Sequence, residues 1–255
     1  MKVGILLGAF AALMFVMQVE ASEPPAGPKV VTFNASVRVE VDAAGKPIKV
    51  EAPAEFPEAV RQFIEKRVAG WQYSPAMQDG VPVAAVTYVG VGACAIPVEA
   101  GYRMGLDFKG NGPALAGSGA WFVPPPPYPR EPMMAGVEGA FKVSYSIMQD
   151  GSTRVDEIKS NNGTGRSYAR DFQKVLTAWV GSFRYQPEQV NGIPVATEMS
   201  LSVSFNMSGK SRKDSLEESE ARALESKECV AAASPMGLVP IAQNSPVKVI
   251  PLPAS

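Results

Sequence analysis

One stretch of this chain occurs twice in recognisable form, and this repeat constrains the fold more than any other feature. The segment at 183–195, FRYQPEQVNGIPV, aligns without a gap to WQYSPAMQDGVPV at 71–83. The two copies share a tyrosine, two prolines, a glycine and the closing valine. Because internal repeats are typical of chains built from related units, we expect two units of similar design. A chain of 255 residues has room for two small domains.

The sequence contains no histidine, which excludes several kinds of active site. A Ser-His-Asp triad, a Cys-His pair and the usual His-containing zinc sites all require an imidazole ring. No spacing of carboxylates, or of serine and lysine, indicates another catalytic arrangement. We therefore expect a protein that is not an enzyme and has no cofactor, metal site or small-molecule substrate. The net charge of −1 argues against a nucleic-acid-binding surface.

Residues 1–21 have the pattern of an export signal. Lys2 supplies a positive charge at the start, and the run from Gly4 to Met17 is apolar. In Val19-Glu20-Ala21, small residues occupy the two positions that determine cleavage. The pattern predicts cleavage before Ser22, followed by a proline-rich tether at 22–32. The alternative is an uncleaved membrane anchor, although the apolar run is shorter than the roughly 20 residues that span a bilayer.

The two cysteines are Cys94 and Cys229. In an exported protein they would meet an oxidising compartment, where pairing is allowed. The sequence leaves open whether they form a disulfide or remain two separate thiols.

The first unit is predicted at 33–97. Val37, Val39 and Val41 alternate with polar residues, which is typical of a strand with one buried face. A turn and a return strand follow, and then a helix that starts near Pro57 and ends at Gly70. After the short repeated stretch comes a final strand, so the predicted order is ββαβ.

The interval 98–127 is predicted to be a linker. It contains several glycines and then Pro124–Pro127. Glycine-rich chain is flexible and a proline run is stiff, so we expect a loose part followed by a polyproline spacer.

The second unit is predicted at 128–207, with the same order of elements. Alternating apolar residues predict a strand at 141–147, and Asp150-Gly151 predicts the hairpin turn. Ser167 is a suitable N-cap for an amphipathic helix, and the stretch from Ala196 to Met207 alternates as a last strand.

Residues 208–255 contain no further copy of the unit. The stretch from Asp214 to Ala232 is charged and rich in alanine, which predicts a surface helix. The remainder contains many prolines and is predicted to be disordered, with no assigned function. The predicted fold class is therefore α+β, with two tandem small domains that each pack an antiparallel sheet of about three strands on one helix.

Several spaced motifs of the second unit resemble those of the TonB C-terminal domain family. They are Tyr128-Pro129, Gly136-Val137-Glu138-Gly139, Asp150-Gly151, FRYQP at 183–187 and NGIPV at 191–195. The resemblance covers about 124–207. The first unit, about 33–97, resembles a diverged second copy of the same domain, although nothing like Tyr128-Pro129 precedes it.

The resemblance implies a function. It suggests a periplasmic domain of a Gram-negative bacterium that pairs with short peptide segments of outer-membrane TonB-dependent receptors and supports energy-coupled uptake. The physical mode would be the addition of a peptide strand to an open sheet edge. The resemblance implies partner-binding positions at Tyr128 and Pro129 and along the last strand, at Thr197, Met199, Leu201, Val203 and Phe205.

Three alternatives stay open at this point. The chain is also compatible with a structural or envelope-assembly protein whose two units pair with each other or across a dimer, leaving no peptide site. Tyr128-Pro129 is equally consistent with a segment that only docks the linker onto the sheet. If the N-terminal run is an inner-membrane anchor, the protein is an energy transducer, although the tether is short and the chain lacks the histidine-bearing anchor helix of a full TonB.

Overall fold

The computed structural model describes residues 31–99, 101–117, 119–161, 168–207 and 238–251. Several features predicted above lie outside the described residues: the export signal at 1–21, Ser167, the charged stretch from Asp214 to Ala232, and Cys229.

The residues predicted as the first unit form two strands, a helix, three short strands and a long strand. These elements are β1 (Val31–Val41), β2 (Pro47–Glu51), α1 (Glu58–Ala69), β3 (Gln72–Tyr73), β4 (Ala76–Gln78), β5 (Val81–Val83) and β6 (Ala85–Val98). The alternating valines of β1, Val37, Val39 and Val41, are fully buried. Pro57 precedes α1 and Gly70 caps its end, as the sequence predicts. The core of this unit lies between the inner face of β1 and α1, where Ile64 and Val68 are buried.

The interval 98–127 differs from the flexible linker predicted for it. It contains β7 (Gly101–Gly112) and β8 (Ala114–Leu115). β7 pairs antiparallel with β6 from Val98 opposite Gly101 to Tyr88 opposite Gly112. Gly110 of β7 and Gly90 of β6 leave space for the ring of Trp121, since a Cβ would fall 3.2 Å from a ring atom at Gly110 and 2.0 Å at Gly90. A glycine-rich sequence in this interval therefore accompanies an ordered strand.

The residues predicted as the second unit contain two helices and several strands. After α2 (Arg130–Met134) come β9 (Gly139–Ile147), β10 (Thr153–Ser160), α3 (Ala169–Gly181), β11 (Tyr185–Gln186), β12 (Gln189–Val190), β13 (Ile193–Pro194) and β14 (Thr197–Phe205). The core lies between α3 and the inner faces of β9 and β14, and it includes Phe172, Leu176 and Phe141. Mixed helix and strand content makes the fold α+β.

The C-terminal residues 238–251 are packed on the body of the protein, which corrects the prediction of disorder for this part of the tail. They form β15 (Ile241–Ala242) and β16 (Val249–Ile250). Val247, between these strands, is fully buried in the core of the first unit. The prolines are compatible with this arrangement, because Pro240 and Pro246 lie outside the two short ladders and need no backbone N–H there.

The two units share strands. One sheet has the order β13-β12-β6-β1-β2, with β7 also on β6, and the other has the order β10-β9-β14-β15. Gln189 and Val190 of β12 pair with Val86 and Ala85 of β6. The second copy of the repeated stretch therefore extends the sheet of the first unit, and the last strand of the first unit is paired on both sides.

Cys94 lies in β6, is fully buried and is disulfide-bonded. The other cysteine in the sequence, Cys229, belongs to the part of the chain that is not described.

Candidate functional site

β14 is the last strand of the second unit, and its two faces differ sharply. Met199, Leu201, Val203 and Phe205 are each at most 3% exposed and point into the core, and Thr197 is also buried. These are the positions that the family resemblance implies for partner binding. Their side chains are therefore committed to the interior, and on this strand a partner has access to backbone and to the opposite face.

The inner edge of β14 is fully paired with β9, from Thr197 opposite Ile147 to Phe205 opposite Gly139. Backbone groups of successive residues in a strand point to alternate edges. Glu198 directs both its N–H and its carbonyl oxygen away from β9, towards residues 243 and 244. The N–H and carbonyl groups of Ser200, Ser202 and Ser204 therefore also point outward.

The outer edge of β14 is closed along one half and open along the other. Ser200 lies opposite Ile241 of β15, and the carbonyl oxygen of Glu198 accepts a hydrogen bond of 2.8 Å from the backbone N–H of Gln243. The N–H of Glu198 donates to Asn244 Oδ1 over 2.7 Å. Among the described residues, no strand pairs with the outward groups of Ser202 and Ser204. They form an open segment at the C-terminal end of the strand, which we call the open edge.

Other sheet edges carry devices that discourage pairing with another chain. β10 has a bulge between Val155 and Glu157, and the charged pair Arg154–Asp156 lies on it. β2 begins with a proline and presents Lys49. Bulges, prolines and charges are common protections of sheet edges. The open edge of β14 has two serines and no such protection.

Tyr128 and Pro129 lie beside the end of β14. The ring of Tyr128 meets that of Phe205 edge-on, with 5.2 Å between the centroids, and it also contacts Phe172. Its hydroxyl donates to the carbonyl oxygen of Val137 over 2.9 Å. Pro129 is buried and caps the start of α2. The structure thus brings Tyr128 together with the strand that contains the open edge.

A buried carboxylate joins the two units beneath this strand. Glu188 has no exposed surface, and its Oε1 accepts hydrogen bonds from the hydroxyls of Thr87 at 2.6 Å and Ser245 at 2.7 Å. Thr197 donates to Oε2 over 3.3 Å. Burial raises the pKa of the Glu188 carboxyl, and the hydroxyl donors only partly oppose this effect. The sequence pattern does not predict this hydrogen-bonded cluster, because Thr87, Glu188 and Ser245 are far apart along the chain.

The geometry is that of a sheet edge able to accept another strand. A family model described as the Gram-negative bacterial TonB protein C-terminal matches residues 124–207. This match covers β14, the open edge and Tyr128 together.

Residues 124–207 are a TonB C-terminal domain.

The match indicates a TonB-like role in energy transduction and receptor interaction, in the envelope of a Gram-negative bacterium. The family model does not extend to the first unit. No curated protein matches the sequence. Among the described residues, no helix is long and apolar enough to cross a membrane, and no cluster of acidic or cysteine side chains could hold a metal ion.

Proposed function

We propose that this protein is a periplasmic adaptor that binds extended peptide segments of outer-membrane TonB-dependent transporters. The peptide would add as a further strand to the open edge of β14, and the protein would have no enzymatic activity. The observation that supports the proposal most strongly is the outward backbone of Ser202 and Ser204, which has no strand partner within the described residues. It lies inside the TonB C-terminal domain.

Strand addition suits the chemistry of this edge. Each outward residue offers one N–H donor and one carbonyl acceptor, so a peptide gains affinity mainly through its backbone. The serine side chains on the outer face are small and exposed at Ser202 and Ser204, which leaves room beside the strand. Tyr128, half-buried against Phe205, would supply an aromatic surface at the end of the added strand.

We further propose that the first unit is a diverged copy of the same domain. Gly45 and Gly151 occupy the same place in their hairpins with φ near +79° and +78°, and each lies against the carbonyl oxygen of the corresponding tyrosine. The turns Asp79-Gly80 and Asn191-Gly192 both have two residues with positive φ. In this copy β7 and β12 occupy the edge of the last strand, so we assign peptide binding to the second unit alone.

Titration calorimetry with a synthetic receptor TonB-box peptide tests the proposal in the full chain. The test variant is Ser202→Pro, because proline removes an outward N–H and leaves the ladder to β9 intact. Ser202→Ala is the matched control, since it keeps the N–H. We expect the wild type and Ser202→Ala to bind and Ser202→Pro to lose at least about fivefold in affinity, the effect of one backbone hydrogen bond of about 1 kcal/mol.

Equal binding by all three proteins would indicate that the peptide binds somewhere other than this edge. Absence of peptide binding by the wild type would contradict the proposed function.

A structural role is the second candidate, and one observation favours it. The units are locked together, since β12 pairs with β6 and Glu188 accepts hydrogen bonds from both units. In that case the protein would be an envelope-assembly component with no peptide site, or one that associates with itself. A wild type that binds no box peptide and forms a stable dimer in analytical ultracentrifugation would favour this role.

A further inference from the structure

The residues that close half of the β14 edge form a short strap that is fixed at both ends. We call residues 239–244 the cover segment. Just before it, Leu238 exchanges two backbone hydrogen bonds with Val123, of 3.0 and 3.1 Å. Just after it, Val247 is fully buried in the core of the first unit. Both anchors are therefore formed by residues outside β14.

The anchor after the cover segment is built by β7, by Glu188 and by residues of the first unit. The side-chain amide of Asn111, on β7, donates to Ser245 Oγ over 2.9 Å and to the carbonyl oxygen of Val247 over 2.8 Å. Ser245 in turn donates to Glu188, which also accepts from Thr87 of β6. Lys248 and Ser74 then exchange hydrogen bonds beside β16.

The cover segment itself is held lightly. The side chain of Ile241 is 59% exposed, and Gln243 and Asn244 are exposed as well. A cleft of about 370 Å³ lies between the cover segment and β7. Its attachment to β14 includes the two-residue ladder, the bonds from Gln243 and Asn244 to Glu198, and a side-chain bond of 3.2 Å from Gln243 to Ser200 Oγ. Pro240 is buried and Ala242 packs on the core, whereas Ile241, Gln243 and Asn244 are exposed. Exposed backbone hydrogen bonds with little apolar packing are the first to open locally.

We propose that the cover segment is a built-in, displaceable strand that restricts access to the peptide-binding edge. A partner peptide pairs first with the open edge at Ser202 and Ser204. It then extends towards Glu198 and removes Ile241 and Gln243 from β14 by strand exchange. The first unit holds the anchor from which the cover segment returns when the peptide leaves. This inference rests on the proposed function, because it concerns the regulation of the same edge.

Two substitutions at one exposed position test the inference. Ile241→Pro removes the N–H that the register directs to Ser200, and Ile241→Ala shortens the side chain but keeps that N–H. If the cover segment competes with the peptide, a substitution that weakens its pairing with β14 makes the edge accessible in more of the molecules. The apparent affinity for the peptide then rises by the same factor by which the pairing of the cover segment is weakened. We expect Ile241→Pro to bind the receptor TonB-box peptide about fivefold more tightly than wild type. Ile241→Ala should bind it like wild type.

A second variant guards against an effect of misfolding. Ser245→Ala removes the hydroxyl that joins the anchor to Glu188 and leaves β15 unchanged in sequence. It should also bind the box peptide more tightly than wild type. Circular dichroism and urea unfolding of the full-length variants check that each is folded.

The outcomes separate the two hypotheses. Tighter binding by Ile241→Pro and Ser245→Ala, with Ile241→Ala unchanged, supports the displaceable cover. Equal and measurable affinity in all four proteins overturns the cover inference and leaves peptide binding at the edge in place. Absence of binding in all four overturns the cover inference together with the proposed function.

Discussion

Gln243 donates its backbone N–H to the carbonyl oxygen of Glu198 over 2.8 Å, so a residue near the C-terminus pairs with the last strand of the TonB C-terminal domain. The pairing stops after Ile241 and Ser200, and the outward backbone of Ser202 and Ser204 continues without a strand partner in the described residues. A single strand thus has a closed half and an open half. This division underlies both the proposed binding site and its proposed regulation.

Glu188→Gln is expected to stabilise the protein at neutral pH. Burial raises the pKa of the Glu188 carboxyl above its ordinary value of 4.5, so the folded protein binds this proton more readily than the unfolded chain. The contribution to the free energy of unfolding is therefore fully present below pH 4.5 and is lost as the pH rises through the folded pKa. The groups that face the carboxyl are the hydroxyls of Thr87, Thr197 and Ser245.

Glutamine is neutral at every pH and can keep these contacts. Its oxygen can accept from Thr87 and Ser245, and its amide can donate to Thr197. Urea unfolding at pH 4.5 and pH 7 measures the effect: the stability advantage of Glu188→Gln over wild type should grow between the two values. An advantage that is equal at both pH values would contradict the assignment of a raised pKa.

Gly151→Ala is expected to destabilise the second unit strongly. Gly151 has φ of +78°, and a Cβ there would lie 2.1 Å from the carbonyl oxygen of Tyr185. Gly192 is the control, because it has φ of +79° and a Cβ would meet nothing within 4 Å. Gly192→Ala should cost about 1 kcal/mol from backbone strain. Gly151→Ala should cost about 2 kcal/mol more, because backbone must move. Thermal unfolding compares them, and equal losses would rule out the close approach.

Tyr185→Phe is expected to cost about 1–3 kcal/mol of unfolding free energy. The hydroxyls of Tyr145 and Tyr185 lie 2.9 Å apart in the core, and burial raises the pKa of Tyr185 to about 12. Removing one hydroxyl leaves the buried hydroxyl of Tyr145 without this partner. Tyr128→Phe is the matched control, since Tyr128 is half-buried and water can replace its bond to Val137. If urea unfolding shows the smaller loss for Tyr185→Phe, the buried pair is not stabilising.

The elements of each unit could be predicted from the sequence because their signals are local. The alternation at Val37, Val39 and Val41 and the punctuation of α1 by Pro57 and Gly70 depend on neighbouring residues only. The spaced motifs from Tyr128-Pro129 to NGIPV resemble the TonB C-terminal domain family, and the family model matches the same residues, 124–207. The backbone geometry of Asn191-Gly192 explains why this motif is recognisable, since both residues have positive φ.

The remaining features depend on contacts between distant segments. The glycines of β7 are typical of a linker, and their place in a strand depends on pairing with β6 and on Trp121, which lies against Gly110. The cover segment is too short to show a strand periodicity, and its partner Glu198 lies far upstream in the sequence. The family resemblance implies partner binding at the odd-numbered residues of β14, but the side chains of these residues are buried. Which edge of that strand is open depends on β9 and β15, and neither pairing is encoded in the strand itself.

Residue-resolved hydrogen exchange of the backbone amides of β14 tests the central claim most directly. In the free full-length protein, Ser202 and Ser204 should exchange quickly, and Glu198 and Ser200 should be partly protected by the cover segment. Addition of a saturating receptor TonB-box peptide should protect Ser202 and Ser204. Protection of these two amides in the free monomer, or fast exchange that persists with the peptide bound, would contradict a peptide-binding edge at this position.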